Sequence, residues 1–235
     1  MHKKEIIDAL KKAFPYTIPI LAGYVFLGFS YGVYSSACGL PIWEPILMSI
    51  VVFGGSLQFV SVSVFLSTFA PIQTLLLALM VQARHLFYSI AMLKKYKDTD
   101  KKMKWYLIFG LTDETFSVID SADIPDSINK NWFYFWITFL NQIYWIIGST
   151  LGSILGTNLP FDSTGIDFML TALFVVICLN QFLKEKTHYS TIIGFITSIV
   201  CLLIFGSDNF IIPTMVSILI FLTLFRNKIE KGENL

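Results

Sequence analysis

Apolar stretches of helical length alternate with short polar linkers along most of the chain. They fall at 16–38, 45–70, 72–93, 105–119, 132–155, 167–183, 189–205 and 210–225. Most are near the roughly 20 residues that span a hydrocarbon core, so the pattern predicts an all-α integral membrane protein. Threaded in the simplest way, they are eight plain transmembrane helices in one polytopic membrane domain over residues 1–235. The loops test that threading, because Lys and Arg favour the cytoplasmic side. Basic clusters occur at the N-terminus, at 94–104 (Lys94, Lys95, Lys97, Lys101, Lys102 and Lys104), at 184–186 and after Phe225. The linkers holding Glu44 and Asp208 lack Lys and Arg, and Asp120, Asp123 and Asp126 dominate 120–131. Eight plain spans with a cytoplasmic N-terminus leave the lysine-rich 94–104 loop outside.

A second arrangement removes that conflict. If 45–70 and 167–183 enter the membrane and return to the side they came from, all four basic clusters lie inside. The linkers at 39–44, 120–131 and 206–209 then lie outside. The result is six crossings plus two re-entrant segments in two inverted repeats, 13–125 and 130–228. Broken segments in inverted repeats are a known transporter device, and Gly54-Gly55 would be the first break. Weak internal similarity points the same way. Gly28-xxx-Gly32 precedes Gln58-Phe59, and Gly148-xxx-Gly152 precedes Gln181-Phe182. Both threadings stay open on these grounds.

Charge inside the apolar runs brings in chemistry. Arg84-His85 sits in the middle of 72–93, and Asp113-Glu114 near the centre of 105–119. A charge at bilayer depth costs roughly 2.5–3.5 kcal/mol on insertion scales and persists mainly where it is paired or lines a polar path. Arg84 precedes Lys94 by ten residues, about 15 Å along a helix, so its guanidinium needs a partner inside the protein. It is either a clamp for a carboxylate or one half of a fixed ion pair with Asp113 or Glu114. Tyr88 shares its helix face and would orient it or close the site over a ligand. His85 is either a proton relay or a neutral histidine bonded to its surroundings. One of Asp113 and Glu114 can pair with Arg84 while the other binds a proton or an ammonium group; alternatively both acids sit near an interface.

The neutral stretch Phe53-Gly54-Gly55-Ser56-Leu57-Gln58-Phe59 offers backbone amides at Gly54 and Gly55 and side-chain groups at Ser56 and Gln58. If the helix unwinds there, those amides can hold a carboxylate; the other reading is a small-residue helix crossing. Asn141, Trp145, Gly148 and Gly152 share one helical stripe, and Gly28, Gly32 and Ser36 another. Packing is the expected role of the glycines, with a partner subunit as an alternative neighbour. Asn141 joins the candidate substrate-binding residues.

Composition narrows the function classes. The chain is 55% hydrophobic and 14% charged, against about 25% charged in an average soluble domain. A net charge of +1 implies no nucleic-acid partner. Cys38, Cys178 and Cys201 lack metal-ligand spacing and read as packing residues. No phosphate-binding loop, metal motif or cleavable signal is expected, and no cofactor. A transporter is the leading reading. A channel is the second, and an intramembrane enzyme using His85 with Asp113 or Glu114 the third.

Three stretches, in order and spacing, resemble the AzlC family of branched-chain amino-acid permeases. Val52 to Phe59 resembles its Phe-Ala-Gly-Ala-Ser-Gln-Phe type motif. Arg84-His85-Leu86-Phe87-Tyr88 resembles its Arg-His-x-x-Tyr element, and Leu111-Thr112-Asp113-Glu114-Thr115-Phe116 its Thr-Asp-Glu-x-Phe element. The second half is similar mainly in hydropathy and in Asp167-Phe168, and Gly55 and Leu57 depart from the motif around Ser56. The resemblance implies a secondary exporter of leucine, isoleucine, valine and also methionine in the cytoplasmic membrane. It implies a small AzlD-type membrane subunit as partner, and it implies no enzyme activity. Arg84 or the broken-helix amides would take the substrate carboxylate, and Asp113 or Glu114 its ammonium group.

Overall fold

The computed structural model describes residues 2–68, 70–125, 127–158 and 188–206, with scattered positions among 175–183 and 210–224. Every element among these residues is helical: α1 His2–Ala37, α2 Trp43–Val51, α3 Gly55–Leu66, α4 Pro71–Val81, α5 Ala83–Met92, α6 Lys101–Phe109, α7 Asp113–Ser121, α8 Lys130–Asn158 and α9 Tyr189–Phe205. The chain divides into two compact units, 1–166 and 167–235.

The first unit is built on two long helices. α1, of 36 residues, is by length and composition able to cross a membrane. α8 has 29 residues and lies against it. Their contacts run in the same order along both chains. Trp136 Nε1 donates to Ile6 O (3.1 Å), the Thr17 and Tyr144 hydroxyls meet at 3.1 Å, and those of Ser36 and Ser153 also at 3.1 Å. The two helices are therefore parallel. Between the last two contacts, the two glycine stripes face each other. A Cβ on Gly28 would stand 2.8 Å from Trp145 O, one on Gly32 2.2 Å from Ser149 O, and one on Gly152 2.0 Å from Phe29 O. No side chain fits there, so the backbones themselves touch. We call the end of this unit that carries Ile6 the near end and the one that carries Ser36 the far end.

Two hairpins fill the space beside this pair. α2 starts at the far end, where Ser35 Oγ donates to Glu44 and Ser153 Oγ to Ile42 O. It descends until Gln142 Nε2 reaches Ile50 O at 3.2 Å. The chain then breaks at Phe53, whose φ is 42°, and α3 climbs back to set Phe59 against Tyr31 and Tyr34. A bulky residue at positive φ costs on the order of 1–3 kcal/mol. Phe53 is 3% exposed and packs edge-on against Tyr24, which holds it there. α6 and α7 do the same from the near end. α6 rises from Lys101 to a turn at 110–112, where Gly110 lets the chain lie against Thr138. α7 returns, and Lys95 Nζ bonds both the backbone oxygen and the carboxylate of Asp120 (2.9 and 2.7 Å). Ala13, Met92, Leu107, Ile119, Phe133 and Ile137 form a buried core around this second hairpin. α4 and α5 connect the hairpins, bent by 47° between Pro71–Leu79 and Ala83–Met92.

Several sequence expectations meet this arrangement. The chain breaks at Phe53-Gly54, next to the expected Gly54-Gly55, and α3 runs back along α2. The run at 105–119, read as a crossing, lies in a hairpin: Asn131 bonds Asp98 O and Thr99 Oγ1, so linkers 94–104 and 120–131 lie at one end. The runs 45–70, 72–93 and 105–119 are each broken in two, so eight uninterrupted helices do not describe this unit. Inverted repeats at 13–125 and 130–228 require α1 and α8 to be antiparallel, and they are parallel. Segment 167–183, with Asp167-Phe168, lies almost wholly outside the described residues. Glu44, read as a residue of an outside linker, is 5% exposed.

Polarity is inverted relative to a soluble domain. Ser35, Gln58, Thr115, Thr138, Asn141, Ser149 and Ser153 are wholly buried, while Phe26, Ile72, Leu75, Leu79, Leu86 and Ile90 are more than half exposed. Hydrogen-bonding groups turn inward and an apolar surface faces out, as a hydrocarbon solvent demands. In the second unit, α9 likewise exposes Ile192, Phe195, Ile196 and Leu203 and buries Thr197 and Cys201. His188 is half-buried and stacks on Phe182 at 3.9 Å.

Candidate functional site

The sequence places its charge at the broken ends of helices. α3 begins at Gly55 after a glycine N-cap that has no side-chain cap bond. α5 begins at Ala83, so Arg84 stands in its first turn. α7 begins at Asp113, with Asp113 and Glu114 in its first turn and Thr112 as N-cap, its hydroxyl accepting from Thr115 N. Acids are favoured at a helix N-terminus, where free amides and the macrodipole oppose their charge.

These three starts meet halfway between the near and far ends. Arg84 Nη1 donates to Asp113 Oδ2 at 2.5 Å, and Nη2 to Ser56 Oγ at 3.0 Å. One guanidinium thus ties the tip of the far hairpin to the tip of the near one. The pair is about one third exposed on each side (34% and 37%), so it borders an opening. Gln82, at the α4–α5 bend, fills the space where a Cβ on Gly54 would lie, and Trp145 closes over Gly55. Any side chain at Gly54 would displace Gln82.

A second chain of bonds runs from the near tip into α1 and α8. Tyr24 donates to Glu114 Oε2 at 2.6 Å, and its oxygen lies 2.6 Å from the Thr112 hydroxyl. The Thr112 and Thr115 hydroxyls are 3.0 Å apart, and Asn141 Nδ2 donates to Thr115 at 3.0 Å. Tyr24 is fixed by edge-on contacts with Trp145 and Phe53. Around the junction, several buried polar atoms have no hydrogen-bond partner among the described residues: Arg84 Nε, His85 Nδ1, Gln82 Oε1, Asn141 Oδ1 and Trp145 Nε1. Such atoms are rare in well-packed interiors, and their clustering here is what a polar ligand site requires.

The residues anticipated from sequence therefore gather, with some left aside. Arg84, Asp113 and Ser56 meet directly, with Gly54 and Gly55 next to Ser56 against Gln82 and Trp145, while Glu114 and Asn141 join through Tyr24, Thr112 and Thr115. His85 flanks Arg84. Tyr88 stacks on Phe116 (4.6 Å), meets His85 edge-on, and its hydroxyl acts on the Asp113 carboxylate, the partner of the arginine. Gln58 lies away from the junction and bonds Ser49, whose hydroxyl meets Ser149 at 2.8 Å. Tyr24, Gln82, Thr112 and Trp145 are not among the candidate site residues read from sequence, although Trp145 lies on the Asn141 stripe and Thr112 in the acid motif. Gln82 carried a signal as a polar residue two places before an intramembrane arginine, and Thr112 as a cap before two acids.

Comparison with known proteins gives a consistent result. Residues 19–159 match the family model described as AzlC protein. The chain is 47% identical over 231 residues to the branched-chain amino acid transport protein AzlC of Bacillus subtilis, covering 98% of this chain and 91% of that protein. It is 41% identical to a Haemophilus influenzae protein described as an uncharacterized membrane protein, covering 97% and 94%. It is 25% identical to the Escherichia coli inner membrane protein YgaZ, over 73% and 72%. No solved structure matches the chain significantly.

Proposed function

The chain belongs to the AzlC family and is a membrane protein, and from that premise we propose that it is a secondary transporter exporting branched-chain amino acids by alternating access. Its substrates are leucine, isoleucine, valine and also methionine. Its partner is a small AzlD-type membrane subunit, and it sits in the cytoplasmic membrane with the N-terminus inside. The observation that carries this reading is the single arginine joining two hairpin tips that come from opposite ends of the unit. The substrate carboxylate binds Arg84 and the first-turn amides of α3 at Gly55 and Ser56, which have no intrahelical acceptor. Its ammonium group goes to Asp113 or Glu114. The side chain lies against Phe53, Tyr88 and Trp145. Such a pocket separates substrates differing by one methylene by only roughly 1–3 kcal/mol, so overlapping substrates are expected.

Access alternates because each hairpin can leave the junction separately. Withdrawal of α2–α3 opens the site to the far end, and withdrawal of α6–α7 opens it to the near end. Substrate bound between the tips replaces the Arg84–Asp113 contact during the exchange. Asp113 or Glu114 couples a proton to that step, with His85 as a relay. Glu114→Gln with wild-type rate and unchanged pH dependence would exclude Glu114 from that role.

Labelled-leucine counterflow in proteoliposomes, with and without the co-purified small subunit, tests the proposal. Saturable counterflow that is lost in Arg84→Ala supports it. Non-saturating flux without counterflow would indicate a channel instead.

A further inference from the structure

Among the described residues, the most deeply buried carboxylate outside the junction is Glu44, at the start of α2. It is 5% exposed. Ser35 Oγ donates to it at 2.7 Å, and Tyr31 OH lies 3.2 and 3.5 Å from its two oxygens. Those two side chains are the polar groups that act on it. The titratable residues on the facing side of α1 are Tyr31, Tyr34 and, at its end, Cys38; all three are neutral in their ordinary form near pH 7. α3 brings Phe59, stacked on Tyr34 and tilted against Tyr31. α8 meets the same part of α2 through the hydroxyls of Ser149 and Ser153. The ion pairs among the described residues are Arg84–Asp113 and Lys95–Asp120, and neither reaches Glu44.

An ionised carboxylate accepts at up to about four positions and loses several kcal/mol when removed from water without a cation. Two hydroxyl donors leave that cost largely uncompensated, whereas a neutral carboxylic acid fits two hydroxyls well. Glu44 is also the anchor of the far hairpin, whose tip carries Ser56 to Arg84. Seated, the hairpin buries Glu44; withdrawn from α1, it exposes Glu44 to water at the far end.

We propose that Glu44 is a proton-binding site of the transport cycle, loaded while the far hairpin is seated and discharged when the hairpin lifts from α1. The step balances simply. Glu44 takes one proton from water at the far end as the hairpin seats, and its carboxyl O–H bond breaks to return a proton there when the hairpin withdraws. Seating of the tip at Arg84 is thereby favoured by far-side acid. The inference rests on the transporter reading of the junction for its role in transport, but not for its chemistry.

The test has two arms on the full-length protein in lipid. Infrared spectra across a pH series report the carboxyl group without any substrate. Wild type is expected to show a protonated-carboxyl carbonyl band that Glu44→Gln removes and that Tyr31→Phe shifts. Should Glu44→Gln not fold, the Tyr31→Phe shift decides. In proteoliposomes, Glu44→Gln is expected to keep leucine counterflow and to lose the dependence of its rate on far-side pH. Spectra unchanged by both substitutions, or a wild-type dependence on far-side pH in Glu44→Gln, would overturn the proposal. If wild type moves no leucine, the infrared arm still decides Glu44, and it is the amino-acid reading that falls.

Discussion

Arg84 is the residue on which both hairpin tips depend, and its need for a partner could be read from sequence because a guanidinium so far from a membrane surface cannot stay unpaired. That Asp113, and not Glu114, takes it was not legible. Neighbouring positions on a helix face different ways, and only the fold decides which turns inward. Tyr24 was invisible for another reason: a tyrosine in an apolar run has the same signature whether it fills a core or bridges an acid. Charge-assisted bonds contribute about 1.5–3 kcal/mol, so Arg84→Ala is expected to weaken leucine binding by roughly 10- to 100-fold, measured by scintillation proximity on purified protein. Tyr24→Phe keeps the ring contacts with Phe53 and Trp145 and removes the bond to Glu114. Its thermal destabilisation, about 1–2 kcal/mol, should not add to that of Glu114→Gln in a double-mutant cycle. Additive losses would mean the two groups do not act together.

Helix breaks, at the scale of elements, turn three apolar runs into three polar starts. The break at Gly54 was legible because the basic-loop pattern favours a returning segment over a small-residue helix crossing at the paired glycines. The break before Asp113 also had its signal, a glycine and then a threonine followed by two acids, which is how helices begin. Hydrophobicity over 105–119 outweighed it, and the run was taken for a crossing. The α4–α5 bend has no glycine or proline at Gln82, and it follows from packing against Gly54. The stripes on α1 and α8 were recognised as close-packing surfaces, though not as each other's partners. Gly32→Ala and Gly152→Ala drive a Cβ into facing backbone, at 2.2 and 2.0 Å. Each is expected to lower stability by about 1–3 kcal/mol, read as a fall in melting temperature in detergent. Gly23→Ala, where a Cβ meets nothing within 4 Å, should not.

Taken as a whole molecule, the first unit consists of two parallel helices, one bent connection and two hairpins entering from opposite ends. The lysine-rich 94–104 loop and the N-terminus fall at one end, as the charge pattern required. The acidic 120–131 linker falls there too, because Lys95 and Asn131 tie it to that loop; a rule that counts Lys and Arg says little about Asp. The arrangement makes the Arg84 junction reachable from either side by moving one hairpin, which is the property an alternating-access carrier needs. Single cysteines at Asp98, Asp123 and Thr68, in a background without Cys38, Cys178 and Cys201, test this with a membrane-impermeant maleimide on oriented vesicles. Positions 98 and 123 should label from one side and position 68 from the other. Labelling of 98 and 123 from opposite sides would make 101–121 a crossing segment and remove the near hairpin from the account.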